Sequence, residues 1–224
     1  YLWLDAQQLG LASRYLSIEG GKQGRYRIDF DYKQSRHWQF SEAKSPYLGI
    51  ESDTLSLSDS LKQSVNEADD LQNIRSQLRS FDVAQSRKQL AFSIRKTFNQ
   101  RWSSRIDFRY EKKQGVITSG AAIGSAYLNA KSVILPEPID YQTRSVDLSA
   151  LYSGNILQAQ LGIKSDFFDN ANDYLRWDNL FIVPGNATQG QIALPPSSQH
   201  HQAYVRLGTQ FSEKTQLFYQ LNVG

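Results

Sequence analysis

"RYRIDFDYK", residues 25–33, sets Tyr26, Ile28, Phe30 and Tyr32 on one side of an extended chain and Arg25, Arg27, Asp29, Asp31 and Lys33 on the other. Strict alternation is the mark of a β-strand, because successive side chains point to opposite faces of a sheet, whereas a helix would mix the two sets. Two environments produce the pattern. One is a soluble sheet packed on a core; the other is a membrane barrel with an apolar face toward lipid and a polar face toward a wet lumen. The pattern returns at 102–111, where Trp102, Ile106, Phe108 and Tyr110 oppose Arg105, Asp107, Arg109 and Glu111.

Composition narrows the choice. The 224 residues have a mean hydropathy of −0.52, low for a chain that must bury a large core, yet they include 12 Tyr, 11 Phe and 4 Trp. No apolar run approaches the roughly 20 residues of a transmembrane helix, which removes the helical membrane class and leaves the barrel, whose strands are only half apolar. There is no cysteine, hence no disulfide, no thiolate metal site and no CxxCH haem attachment in this stretch. The formal charge is +3 with the signs interleaved, which argues against a nucleic-acid surface. Both ends stop inside strand-like patterns, so residues 1–224 are read as one partial barrel domain, truncated at each end.

Counting alternating segments gives about nine strands: 1–9, 14–20, 25–36, 82–98, one from Trp102, one through Val146 to Tyr152, one through Leu157 to Ile163, one through Ala203 to Phe211, and one through Leu217 to Leu221. Gly, Asn and Ser punctuate them. If neighbours are antiparallel, the long connections 37–81, 113–140 and 167–200 share one end of the sheet and the short turns the other. That sorting is the habit of outer-membrane barrels, with short periplasmic turns and long extracellular loops. In the first long connection Leu71, Ile74, Leu78 and Phe81 follow helical spacing after "NEADD", which predicts a short helix on a barrel rim. The fold class expected is therefore all-β: a segment of a transmembrane antiparallel barrel. Tyr26, Ile28, Phe30, Tyr32, Trp102, Ile106, Phe108 and Tyr110 would face lipid, and the charged set would face the interior with ion pairs running from strand to strand. The competing reading is a solvated sheet face.

Several segments, in order along nearly the whole chain, resemble the MtrB/PioB family of outer-membrane porins associated with decahaem cytochromes. "LPEPIDYQT", with Pro138, Ile139, Asp140, Tyr141 and Thr143, is similar to the family's Pro-Ile/Val-Asp-Tyr-x-Thr stretch, where a long loop re-enters the barrel. "GGKQGRYRIDFDYKQ" resembles its Gly-Lys-Gln-Gly hairpin, and "SPYLGI", with Pro46, Tyr47 and Gly49, its Ser-Pro-Tyr-x-Gly. "DNLF" and "TQGQIALPPSSQHHQ" fit the last long loop and its return. The resemblance implies a barrel of well over twenty strands in the bacterial outer membrane. It would hold and insulate a periplasmic decahaem c-type cytochrome in its lumen, passing electrons to or from a surface multihaem cytochrome docked on the long loops. Haem would be carried by the partner and none by this chain. Arg25, Arg27, Asp29, Asp31, Lys33, Arg105, Asp107, Arg109 and Glu111 become the cytochrome-contact candidates. The alternative is a general or substrate-specific diffusion porin without a cytochrome.

Other sites are weak. Asp166, Asp169 and Asp173 belong to an oxygen-rich set that could hold calcium, but the EF-hand glycine and final glutamate are missing, and a hydrated loop with Asx turns is the plainer reading. His200 and His201 are adjacent, so in a strand they point oppositely and cannot chelate together. "GVITSGAAIGSA" lacks the Lys-Ser/Thr of a phosphate loop and reads as a small-residue surface loop. No Ser-His-Asp or paired-carboxylate spacing argues for catalysis, and no enzyme is expected.

Overall fold

A computed structural model describes residues 1–62, 68–123, 131–180, 187–212 and 215–224. In chain order the elements are β1 (Leu2–Gln7), β2 (Arg14–Lys22), β3 (Tyr26–Ser45), β4 (Thr54–Leu55), α1 (Asp59–Lys62), α2 (Ala68–Ser76), β5 (Arg79–Thr97), β6 (Trp102–Ile123), β7 (Lys131–Ser153), β8 (Leu157–Asn170), β9 (Tyr174–Asp178), β10 (Gln189–Ala193), β11 (Ser198–Ser212) and β12 (Thr215–Val223). Nine of them form a single antiparallel sheet in the order β1-β2-β3-β5-β6-β7-β8-β11-β12. The sheet is a meander, each strand lying beside its predecessor in the ladder, and it does not close on itself. The three short strands make a second sheet, β10-β9-β4.

The register keeps the two faces apart across the whole width. Ile28 pairs with Ile94, Ile94 with Ile106, Ile106 with Leu148, Leu148 with Ile163, Ile163 with Ala203 and Ala203 with Val223. Residues directly opposite in an antiparallel ladder share a face, so this is one apolar row spanning seven strands. A slip of one residue in any pair would turn that strand's apolar set onto the charged face. The row is also staggered against the turns. It lies two residues past the start of β3 at Tyr26, four past the start of β6 at Trp102, six past that of β8 at Leu157 and eight past that of β12 at Thr215. That is one residue per strand. With a rise of ~3.4 Å and a strand spacing of ~4.8 Å, turns held at one level require strands tilted by about 35°, within the range that closed barrels adopt.

The connections depart from expectation. The stretch 113–140 is largely strand: β6 runs to Ile123 and β7 starts at Lys131, with unbroken pairing from Trp102↔Tyr152 to Ile123↔Lys131. The small residues of "GVITSGA" therefore lie in a strand, and residues 124–130 fall outside the described part. The first and third long connections shorten to 46–78 and 171–197 because β3, β5, β8 and β11 are longer than the alternation suggested. The helix runs over Ala68–Ser76, whereas Phe81 belongs to β5; Asn66, Glu67, Phe181 and the side chains of Leu71 and Phe211 lie outside the described residues. Arg25 sits in the turn before β3.

Nor do the two connections project separately. They fold together into a cap that contains the second sheet, with a core of Tyr47, Leu55, Leu57, Leu61, Leu175, Trp177, Leu180 and Leu194 around Leu135 of β7. The "SPYLGI" stretch has a clear structural task here. Tyr47 is fully buried and its hydroxyl donates to the Asp178 carbonyl at 3.0 Å, while Gly49 has φ +78° and backs onto the Thr54 carbonyl, where a Cβ would lie 2.5 Å away. The Asp178 carboxylate ties the cap together, accepting from the Leu57 amide (2.9 Å) and Gln189 Nε2 (3.0 Å) and pairing with Lys62 Nζ (3.2 Å). Leu135 and Val133 share the parity of Asp147 and Ser149 in the unbroken ladder, so the cap packs on the continuation of the charged face.

Burial pushes the Asp178 carboxyl up, but the bonds from Gln189, the Leu57 amide and Lys62 outweigh it and hold the group below the ordinary carboxylate value. A lowered folded-state value gives stability that is present above the unfolded carboxylate value, about 3.9, and is lost as pH falls through the folded one. In the full-length protein, hydrogen exchange at Leu57, corrected for intrinsic rate, should stay slow at pH 7 and quicken below about pH 4. Asp178→Ala should quicken it by about tenfold already at pH 7, since an amide loses its acceptor; an unchanged rate would remove Asp178 from its place in the cap.

Candidate luminal interface

The polar face is organised in rows, each crossing several strands. Nearest the short turns, Arg27, Arg95 and Arg105 stand in direct register on β3, β5 and β6. The next row holds Glu19, Asp29, Asp107, Asp147 and Lys164 on β2, β3, β6, β7 and β8. Beyond it lie Asp31, Arg109 and Asp166, then Lys33 and Glu111, then Arg87 and Lys113. A band of arginine is thus followed by a band of carboxylate and then by mixed charge toward the cap.

Like charges directly opposite destabilise a ladder, and Glu19↔Asp29, Asp107↔Asp147 and Arg95↔Arg105 are such pairs. The two carboxylate pairs are relieved by neighbours. Arg27 spans Glu19 (2.9 Å) and Asp29 (2.8 Å), Arg105 donates to Asp107 (2.9 Å), and the Tyr204 hydroxyl donates to Asp147 (2.8 Å). Lys164 pairs with Asp166 at 2.9 Å, and Arg87 with Glu111 at 3.2 Å. Arg27–Glu19 and Arg87–Glu111 run from strand to strand as expected, whereas Arg27–Asp29, Arg105–Asp107 and Lys164–Asp166 run along one strand, since residues i and i+2 share a face. Exposed pairs of this kind are screened by water and add little to stability. Among the described residues Arg95 and Arg109 have no carboxylate or hydrogen-bond partner.

Tyr204 reaches Asp147 across an intervening strand because the residue between them is glycine. Gly162 stands directly opposite Tyr204, and the tyrosine ring lies over it so closely that a Cβ there would be 2.3 Å from the ring. The ring is 6% exposed, on a face otherwise open, and pins β11 to β7 over β8.

Of the charged residues expected on this face, Arg27, Asp29, Asp31, Lys33, Arg105, Asp107, Arg109 and Glu111 share it. Tyr26, Ile28, Phe30, Tyr32, Trp102, Ile106, Phe108 and Tyr110 share the other. Glu19, Arg95, Asp147, Lys164 and Tyr204 escaped the sequence reading. Their strands carry glycine or serine at alternate positions, which thins the polar pattern, and only the cross-strand register assigns them. Pro138, Ile139, Asp140, Tyr141 and Thr143 lie inside the 23-residue β7 and not at a loop's return. Ile139 pairs with Gly115, whose φ of +143° lets β6 pass 2.1 Å from the Ala84 carbonyl, measured to the Cβ it lacks. Pairing of β6 with β5 ends at that glycine. The calcium reading fails on geometry: Asp166 and Asp169 lie on opposite faces of β8, paired with Lys164 and Arg144. His200 faces Asp166 in the ladder, and His201 Nδ1 lies 2.9 Å from the Ser165 hydroxyl on the other face.

Comparison with known proteins adds a family. The model described as "Putative outer membrane beta-barrel porin, MtrB/PioB" matches residues 1–224. Outer membrane protein MtrB of Shewanella baltica (strain OS185) is 27% identical over 213 residues, which cover 95% of this chain and 30% of that protein. The chain thus spans under a third of the length of that relative.

Gly162→Ala should force the Tyr204 ring off its seat and cost about 1–3 kcal/mol. Tyr204→Phe, which keeps the ring and removes the hydroxyl from Asp147, should cost about 1 kcal/mol. The thermal midpoint of the full-length barrel in detergent reads both, and equal midpoints for wild type and Gly162→Ala would refute the interlock.

Proposed function

The chain belongs to the MtrB/PioB family of outer-membrane β-barrel porins, and on that footing we propose that it forms part of the wall of a sheath around a multihaem c-type cytochrome. The apolar face meets lipid and the charged face lines the lumen. The observation that carries this reading is the apolar row held in direct register over seven strands, from Ile28 to Val223, with the charged rows on the opposite face.

Dimensions support the lipid assignment. On β6 the apolar face runs from Trp102 to Tyr110, eight residue steps, which is about 27 Å along the strand and about 22 Å along the axis of a barrel whose strands tilt by about 35°. Outer-membrane barrels carry an apolar band of about 25 Å between aromatic girdles. Trp102 and Tyr152, with ring centroids 5.0 Å apart, together with Tyr26 supply one girdle, and Tyr32 and Tyr110 the other. Ile106 and Ile163 are 42% and 56% exposed on that face, as side chains awaiting lipid would be.

A lumen lined with charge needs a reason to be wide. At this tilt a barrel of more than twenty strands has a backbone diameter of about 40 Å, wide enough to admit a folded domain of about 100 residues, whose radius of gyration is about 13 Å. Arg95 and Arg109, whose charges the wall leaves uncompensated, are the groups with most to gain from a partner's carboxylates. The wall does no redox chemistry; it keeps haems apart from lipid, and the cap meets the surface partner.

Full-length protein purified in mild detergent from its own outer membrane should show stoichiometric c-type haem bands that sharpen on dithionite reduction. Arg95→Glu with Arg109→Glu should lower retained haem by about tenfold while the barrel still inserts, because reversed charge repels a complementary surface. A haem-free barrel that conducts ions in planar bilayers would replace this reading with a diffusion porin.

A further inference from the structure

The apolar face ends, toward the cap, in a basic row that the lumen does not use. Arg14, Gln34, Lys88, Lys112 and Gln142 stand in direct register on β2, β3, β5, β6 and β7, with the parity of the apolar row and six residues beyond it on each strand. Immediately below lie Tyr32, Leu90 and Tyr110. Arg144 sits two residues nearer the turns on β7, and the stagger of one residue per strand brings it to the height of Lys88.

Among the described residues, two carboxylates pair with cations at this row. Asp140 pairs with Lys112 and Asp169 with Arg144 (2.6 Å), each standing farther from the apolar band than its cation. Arg14 donates only to the neutral Gln34 Oε1 (2.7 Å) and lies 5.9 Å over the Tyr32 ring. Lys88 has no partner among the described residues, although it faces Lys112 directly across the ladder. Two lysines in that position repel one another unless an anion lies between them.

We propose that this row binds phosphate groups of lipid headgroups in the outer leaflet. Long connections mark the outer end of such barrels, so the row stands where the hydrocarbon of that leaflet stops. Tyrosines at the boundary with cations just above them are the arrangement that takes an amphipathic lipid: acyl chains against Phe30 and Phe108, phosphate on Lys88, Arg14 and Lys112. The inference rests on the lipid-facing assignment above and is independent of any cytochrome.

The probe is bis-phosphorylated lipid A, compared with its dephosphorylated form and with inorganic phosphate, on full-length protein in detergent; retained lipid is counted by native mass spectrometry. Wild type should keep the bis-phosphorylated lipid and release the dephosphorylated one, and millimolar inorganic phosphate should not displace it. Each cation near an anionic surface is worth about fivefold in affinity, so Arg14→Gln with Lys88→Gln should weaken retention by about 25-fold. Arg176→Gln, which removes a cation from the cap, should leave it unchanged. Equal retention of the two lipids by wild type would overturn the proposal without any variant, and displacement by inorganic phosphate would assign the row to a free anion. Haem retention reads the cytochrome separately and should not move.

Discussion

Everything in this chain depends on the register of the long ladder. A two-faced strand is only as good as its alignment, because the side-chain period is two and a shift by one exchanges the faces. Here the alignment is kept through seven consecutive strands by the isoleucine row, by Tyr204 seated on Gly162, and by turns that step the strands by one residue each. The step and the separation of faces are not independent. Only a staggered sheet can close, and only a closed sheet removes the unpaired edges that lipid would leave without hydrogen-bond partners.

Strand length then separates two jobs. About ten residues of a tilted strand cross the hydrocarbon, yet β3, β6 and β7 are 20, 22 and 23 residues long. The excess lies at the end of the long connections, where alternation is no longer required. There β7 can carry Pro136 and Pro138, since its pairing with β8 stops at Tyr141 and the strand is an edge from that point on. The cap uses the same stretch as a foundation, burying Leu135 against Tyr47 and Leu175. A chain that ended its strands at the membrane surface would have no place to set such a cap.

The sequence was most legible where water and lipid impose opposite demands on adjacent residues. Tyr26 to Lys33 and Trp102 to Glu111 declare both faces, and nine strands follow from the same rule. Legibility faded where that contrast is absent. Residues 113–123 and 131–140 are small or mixed because one side faces water and the other the cap, so a strand there looks like a loop. Helical spacing in the first connection ran on to Phe81 because a residue three places after Leu78 fits the helical period, although β5 has already begun at Arg79. The cap was invisible for a further reason: Leu57 and Asp178 are 121 residues apart, and no local pattern announces a contact of that separation. What resemblance flagged as "SPYLGI" proves to be the cap's anchor, a buried tyrosine and a glycine with positive φ.

The polar face also limits how a partner can be held. Most of its carboxylates already have a donor: Glu19 and Asp29 have Arg27, Asp107 has Arg105, Asp147 has Tyr204 and Glu111 has Arg87. A wall so compensated attracts a charged surface weakly at any one point and leaves few buried charges to desolvate when water is displaced. Among the described residues two arginines, Arg95 and Arg109, stand outside that compensation, one in each of two adjacent strands. A partner lying along the wall would therefore find orientation at a few cations and a hydrated, nearly neutral surface elsewhere, which favours snug enclosure over tight adhesion. That is the combination an insulating sheath requires, since its contents must be positioned without being distorted.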